Sequence, residues 1–288
     1  MIEISAEKVR ELREKTGAGI MDCKKALGST DGDLSQAVDL LRKEGVIKAA
    51  KKAGRTTQEG LIGIAVSADK RQVSLVEINC ETDFVARTDQ FLEFLSAVSE
   101  NVLVGQAETI DEFLNQKLGT GTTQEALTQF IARVGENTSI RRFALVRAGE
   151  NEDVGSYIHA GSKIGVLIRV KRGTNGKVLD AGLVRDLAMH AAAMAPRYLN
   201  RTQVTAAVLQ KEKEVLLASP ELASKPANLH EKIVEGKLNR FYSESCFVEQ
   251  AFIKDPTGKK TIAEFLKENS PGAEVVEMVR FQVGEEIL

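Results

Sequence analysis

Gly60-Leu61-Ile62-Gly63-Ile64-Ala65-Val66-Ser67, a polar break Ala68-Asp69-Lys70-Arg71, and Gln72-Val73-Ser74-Leu75-Val76-Glu77-Ile78-Asn79-Cys80 decide the fold. Both runs are rich in aliphatic and β-branched residues, and a short polar break between two such runs reads as a β-hairpin. Downstream the apolar period lengthens to three and four. Phe91, Leu92, Leu95 and Val98 share one helical face. Thr122 and Glu125, spaced as a capping box, open a second helix with Leu127, Phe130, Ile131 and Val134 turned inward. Residues 140–147 return to strand character.

The same order then recurs loosely. Residues 156–159 and 164–170 read as strands around a glycine-containing turn, a long helix covers 181–194 and stops at Pro196, and 274–283 closes as a strand. In that last strand Val275, Val279, Phe281 and Val283 alternate with polar neighbours. The pattern predicts an α+β fold with two related subdomains, residues 60–148 and 149–288. Inserted in the second are two polar helical stretches, 202–218 and 226–242, joined by a turn containing Ser219-Pro220 and Lys225-Pro226. Val204, Val208, Val215 and Leu216 give one stripe, and Leu229, Ile233 and Leu238 the other. Together they predict an antiparallel helical hairpin at about 202–242. Its narrow seam serves either to seal the hairpin or to meet another chain.

Upstream of the hairpin strands, residues 1–45 read as three short helices. Ser5 caps the first, which presents Val9 and Leu12 before Thr16-Gly17-Ala18-Gly19 breaks it. The second places Ile20, Cys23 and Leu27 on one side. Asp33 with Gln36 resembles a capping box for the third, whose stripe is Leu34, Ala37, Val38 and Leu41. Residues 46–59, with Lys48, Lys51, Lys52 and Arg55, follow as a basic linker. A solvated linker suits those cations better than a nucleic-acid tail, because 39 Lys and Arg stand against 41 Asp and Glu over the 288 residues. No direct nucleic-acid partner is expected.

Met1-Ile2-Glu3-Ile4-Ser5 lacks the basic and apolar segments of a secretory signal, and no later run is long enough to span a bilayer. Cys23, Cys80 and Cys246 are widely spaced and odd in number, which favours a reducing cytoplasm over a disulfide framework. The motifs of an enzyme are missing. Gly17-Ala18-Gly19 has Asp22 where a dinucleotide fingerprint needs glycine, and Gly258-Lys259 is followed by Lys260 rather than by Ser or Thr. His159, His190 and His230 show no metal-ligand spacing, and His190 reads as a core residue. No catalytic residue, cofactor or metal is expected.

One segment is unlike core. Asn79-Cys80-Glu81-Thr82-Asp83-Phe84-Val85-Ala86-Arg87 leaves a strand and enters a helix through a charged bend. Either Thr82 or Asp83 caps the helix while Phe84 tucks inward, or Phe84 stands out as an aromatic anchor beside a carboxylate. Local chemistry favours the first.

Resemblance favours the second. The segment is similar to the signature of the elongation factor Ts family, with its Thr-Asp-Phe-Val core. Leu12-Arg13-Glu14-Lys15-Thr16-Gly17-Ala18-Gly19-Ile20-Met21-Asp22-Cys23-Lys24-Lys25-Ala26-Leu27, Gly32-Asp33, Val134-Gly135-Glu136-Asn137 and Gly155-Ser156-Tyr157-Ile158-His159 also look like that family. The resemblance implies a ubiquitin-associated-like module at 1–45 and a non-catalytic exchange factor. Its partner would be the GTPase elongation factor Tu, in its GDP-bound and nucleotide-free states. It further implies that Thr82, Asp83, Phe84 and Val85 disturb that partner's Mg²⁺ site and release GDP, with Met21, Lys24, Val134, Gly135 and His159 as further contacts. For His159 a structural place in a strand turn fits the residues equally well. An RNA- or ribosome-binding accessory protein is the alternative class.

Overall fold

The computed structural model describes residues 4–174, 176–219, 222 and 226–287. The chain opens with α1 (Ala6–Thr16), α2 (Ile20–Ser29) and α3 (Leu34–Ala50). Ser5 caps α1 by accepting the Lys8 amide. Val9, Leu12, Cys23, Ala26, Leu27 and Ala37 form a small core between the three helices. Two local expectations are corrected. Ile20 is exposed, because it opens α2 where the chain has just turned out of α1, and Ala26 takes the inner place. Only half of the capping box at the start of α3 forms, since the Gln36 side-chain amide nitrogen reaches the Asp33 carboxylate rather than a backbone group. The basic stretch after residue 45 begins as helix, because α3 continues to Ala50.

The predicted hairpin is β1 (Glu59–Val66) and β2 (Gln72–Cys80), antiparallel, with β5 (Thr138–Arg147) on the other edge of β2. Between β2 and β5 run α4 (Asp83–Ala86), α5 (Asp89–Val104), α6 (Ile110–Asn115), the small ribbon β3 (Lys117–Leu118) and β4 (Gly121–Thr122), and α7 (Thr123–Val134). Phe91, Leu95, Val98 and Val102 of α5 and Phe130 of α7 pack on Val76, Ile78 and Cys80. Leu92 is about half exposed instead, because it lies about 100° round the helix from Phe91. Thr122 and Glu125 form the full capping box of α7. α3 lies against α7, with Gly45 facing Ala132 and Arg42 ion-paired to Glu125.

The second sheet is β6 (Glu152–Ile158), β7 (Ile164–Lys171) and β8 (Glu274–Gln282), with β7 central. α8 (Ala181–Met194) and α11 (Ile262–Asn269) cover its outer face through Val184, Leu187, Ala188, Ile262 and Leu266. The two sheets share one topology. Each carries a register shift after the sixth residue of its central strand, at Glu77/Ile78 and at Arg169/Val170. Their inner faces pack on each other through Ile62, Val73, Leu75, Val146, Leu167 and Phe281. A β carbon at Gly165 would sit 2.6 Å from Ile62 and 2.7 Å from Leu75, so glycine there lets the sheets approach. Strand β2 is thus covered on both faces, which explains its nearly unbroken apolar run.

Between α8 and α11 lie α9 (Ala206–Leu217) and α10 (Ala227–Ser245), which pack against each other. Their stripes are narrower than expected. Val208, Leu216, Ile233 and Leu238 are half-buried, whereas Val215 and Leu229 face solvent. Pro220 and Lys225 of the predicted turn lie outside the described residues.

Candidate functional site

Strand β2 ends at Cys80, paired with Glu59 on one side and Thr138 on the other. The chain then bends into the single turn of α4. Thr82 caps this turn, its Oγ1 accepting the Val85 amide at 3.4 Å. Ala86 is buried and Val85 packs against the first core. With those two turned inward, a helical turn must direct Phe84 the other way, and its side chain is 81% exposed. The inward-tucked alternative is therefore corrected, although its capping component holds. The Asp83 carboxylate lies 2.8 Å from the Arg87 guanidinium, both open to solvent. Such a pair adds little stability. It keeps a carboxylate beside the ring.

A second turn supports the first. Gly135 ends α7 with φ of 81°, a left-handed geometry that glycine adopts without strain, and its amide donates to Ile131 O at 3.0 Å. Its carbonyl accepts the Lys52 ammonium. Val134 is half-buried against the first core. Glu136 then reaches Thr82, accepting its amide at 3.0 Å and its hydroxyl at 2.7 Å. Thr82, Asp83, Phe84, Val85, Val134 and Gly135 are thereby gathered at one end of the first sheet.

His159 belongs to the same end of the molecule. It is exposed in the β6–β7 turn, its Nδ1 3.2 Å from the Tyr157 hydroxyl. That turn is pinned to β1, for Ser162 O accepts the Ile62 amide at 2.7 Å and Lys163 Nζ donates to Glu59 at 2.6 Å and to Gly60 O at 2.9 Å. Glu59 is the residue paired with Cys80. Met21 and Lys24 lie on the exposed outer face of α2. No hydrogen bond or ion pair among the described residues joins them to the bend. Their connection runs through the body of the molecule: Asp22 pairs with Lys48 of α3 at 2.9 Å, and the Arg133 guanidinium of α7 lies beside Gly17. A cleft of about 340 Å³ sits at this joint, lined by Thr16, Gly19, Asp22, Arg42 and Arg133 among others, away from Phe84.

Reactive groups are closed off elsewhere. Burial pushes the thiols of Cys80 and Cys246 up to about 12 and about 11, and all three cysteines are free and buried. His190 Nδ1 accepts the Ile253 amide and its Nε2 faces Gln250 Oε1 at 3.0 Å, and burial lowers its pKa. No cluster of metal-ligating side chains occurs among the described residues. No helix there is long and apolar enough to cross a membrane. What the bend offers is a ring and a carboxylate held out on a braced turn.

The sequence pattern of the family described as Elongation factor TS matches residues 81–285, beginning at this bend. The chain belongs to the elongation factor Ts family. Among similar proteins, the elongation factor Ts of Nautilia profundicola is 44% identical, aligned over 99% of this chain and 94% of its own length. That of Clostridium botulinum strain Eklund 17B is 43% identical, and that of Methylococcus capsulatus 44%, with the same coverage. Family membership makes the chain a translation elongation factor. Of the elongation factor Ts motifs read in the sequence, Val134-Gly135-Glu136-Asn137 carried more than its first two residues suggested. Glu136 and Asn137 brace the Phe84 turn across more than 50 positions. No local spacing could have revealed such partners.

Proposed function

We propose that this elongation factor Ts family member binds elongation factor Tu carrying GDP, in the cytoplasm, and promotes GDP release without covalent chemistry. The observation that carries the reading is the 81% exposure of Phe84 on a capped turn whose Ala86 is buried and whose Val85 packs against the first core. In this reading Phe84 wedges between helices of the GTPase and Asp83 accompanies it, with Thr82 and Val85 fixing the turn. Bound Mg²⁺ demands near-ideal octahedral geometry, so a small shift of its supports weakens nucleotide retention. Phosphate loops rely on inward-pointing amides, and rotating one peptide replaces attraction with repulsion.

Burying one phenylalanine contributes about 1.5–3 kcal/mol, one or two powers of ten in an equilibrium. A wider interface must supply the rest. Met21 and Lys24 on the first module, Val134 and Gly135 beside the bend, and His159 on the second sheet are its assigned contacts. Coupling is reciprocal, so GDP weakens the factor's grip as much as the factor weakens that of GDP. An RNA-binding role gains less support, since Lys52 and Arg55 of the basic stretch are engaged by Gly135 and Glu81. The exposed Val215, Leu217 and Leu229 give the helical hairpin an apolar surface for a second copy of the chain. A monomeric mass by light scattering at micromolar concentration would reject that dimer.

Release of fluorescent GDP from purified elongation factor Tu tests the main reading. The wild-type chain should accelerate release, and Phe84→Ala should slow it at least tenfold, in line with the burial estimate. Equal acceleration by both proteins removes the wedge. No acceleration by the folded wild type removes the exchange function.

A further inference from the structure

The exposed turn of α4 is only four residues long, and one helical turn has no stability of its own. Phe84 adds no internal packing. The posture of the ring therefore depends on what fixes Thr82, and the structure shows two carboxylates crossing between neighbouring turns. Glu136, from the turn after α7, accepts the Thr82 amide and hydroxyl. Glu81, from the bend itself, accepts the Asn137 amide at 2.6 Å. Each turn thus supplies the anion that holds the other's backbone. The Thr82 hydroxyl directs its hydrogen to Glu136 and keeps a lone pair for the Val85 amide, so cap and strap share one oxygen.

The crossing is tied to the segment that follows α3. Asn137 Nδ2 donates to Arg55 O at 2.8 Å and to Ala53 O at 3.4 Å, and the Arg55 guanidinium lies 3.3 Å from Glu81. Lys52 holds Gly135 O. Asn137 is buried and Glu81 half-buried, which makes the charge-assisted bond between them stronger than an exposed one. The Asn137 amide, with Arg55 in support, also keeps the Glu81 carboxyl below the usual carboxylate range.

We propose that Glu81, Glu136 and Asn137 are positioning residues: a reciprocal clamp that holds Phe84 outward and links its posture to the segment joining the N-terminal helices to the core. The role in nucleotide exchange rests on the function proposed above, whereas the clamp is a property of the free chain and is tested there separately.

In the free, full-length chain, amide hydrogen exchange at Thr82 and Asn137 is compared between wild type and Glu136→Ala, with Phe91 of α5 as the internal reference. Both amides should lose protection together while Phe91 keeps its own, because releasing one strap frees the other. Loss at Thr82 alone, or no loss, overturns the reciprocal clamp whatever the partner does. GDP release is then measured with wild type, Glu136→Ala, Phe84→Ala and the double variant. Glu136→Ala should slow release about tenfold when Phe84 is present, the size of one lost charge-assisted hydrogen bond. It should have little effect when Phe84 is already alanine. An equal slowing in both backgrounds shows that Glu136 does not act through Phe84 and overturns the positioning role. If the wild type fails to accelerate release, the exchange function falls and the positioning role falls with it, while the hydrogen-exchange result still decides the clamp.

Discussion

Glu77 has no exposed surface, yet it carries its charge into the space between the sheets. Burial alone would push its carboxyl up. The Gly284 amide at 3.0 Å and the guanidiniums of Arg141 and Arg142, at 2.9 and 2.6 Å, outweigh that and hold it below the usual range. A carboxyl whose folded pKa is depressed stabilises fully above its unfolded value, about 4.3 for glutamate. That contribution fades as pH falls through the folded value. Asp153, held down against its own burial by Arg172 and the Leu179 amide, adds to the same trend. Denaturant midpoints of the wild type should therefore decline below about pH 4.3. Glu77→Gln should cost about 3 kcal/mol at neutral pH, the low end for unpairing a buried ion pair, since the amide keeps one acceptor. It should also make the acid decline shallower. An unchanged acid profile in the variant would assign acid unfolding to other carboxylates.

Elements here are punctuated by their ends, and that is what made several of them readable. The spans Gln72–Cys80 and Ala181–Met194, the Ser5 cap and the Thr122–Glu125 box follow from chemistry contained within a few residues. Ile20, Leu92, Val215 and Leu229 were misread because an apolar side chain finds its cover in another element, whose position no local pattern states. For Phe84 the local reading failed in the same way, whereas the family resemblance placed it outward, where its side chain stands. Its exposure is set by Val85 and Ala86 turning inward, and local capping rules pointed the other way. The braces Glu136–Thr82 and Glu81–Asn137 were illegible for a different reason, since they span 54 and 56 positions. At this scale the end of α7 is the sensitive point. Gly135→Ala forces a β carbon into left-handed backbone, at about 1 kcal/mol, and should lower the melting temperature by about 2–4 °C. GDP release should fall further than stability does, because the Glu136 strap leaves from the next residue. A variant that melts earlier yet exchanges normally would separate the cap from the strap.

Across the whole molecule the two sheets act as each other's floor. Their topologies match, and their central strands carry opposite charges at equivalent places: Glu77 faces two arginines, whereas Arg169 lies 2.8 Å from both Glu152 and Glu277. If the halves unfold as one unit, a change at their interface must be felt by both. Gly165→Ala should cost about 1–3 kcal/mol by overpacking, and trimming Ile62 to alanine in the same chain should recover part of it. A double-mutant cycle with no coupling would mean the sheets relax independently. One contact in this interface also has a place in time. The Gly284 amide that holds Glu77 lies 207 positions after it. During synthesis β2 leaves the ribosome long before that amide exists, and domains ordinarily settle in the order in which they emerge. Here the earlier half cannot enclose its carboxylate on favourable terms until the chain has been extended through the later one. The N-terminal sheet is made early but finished late.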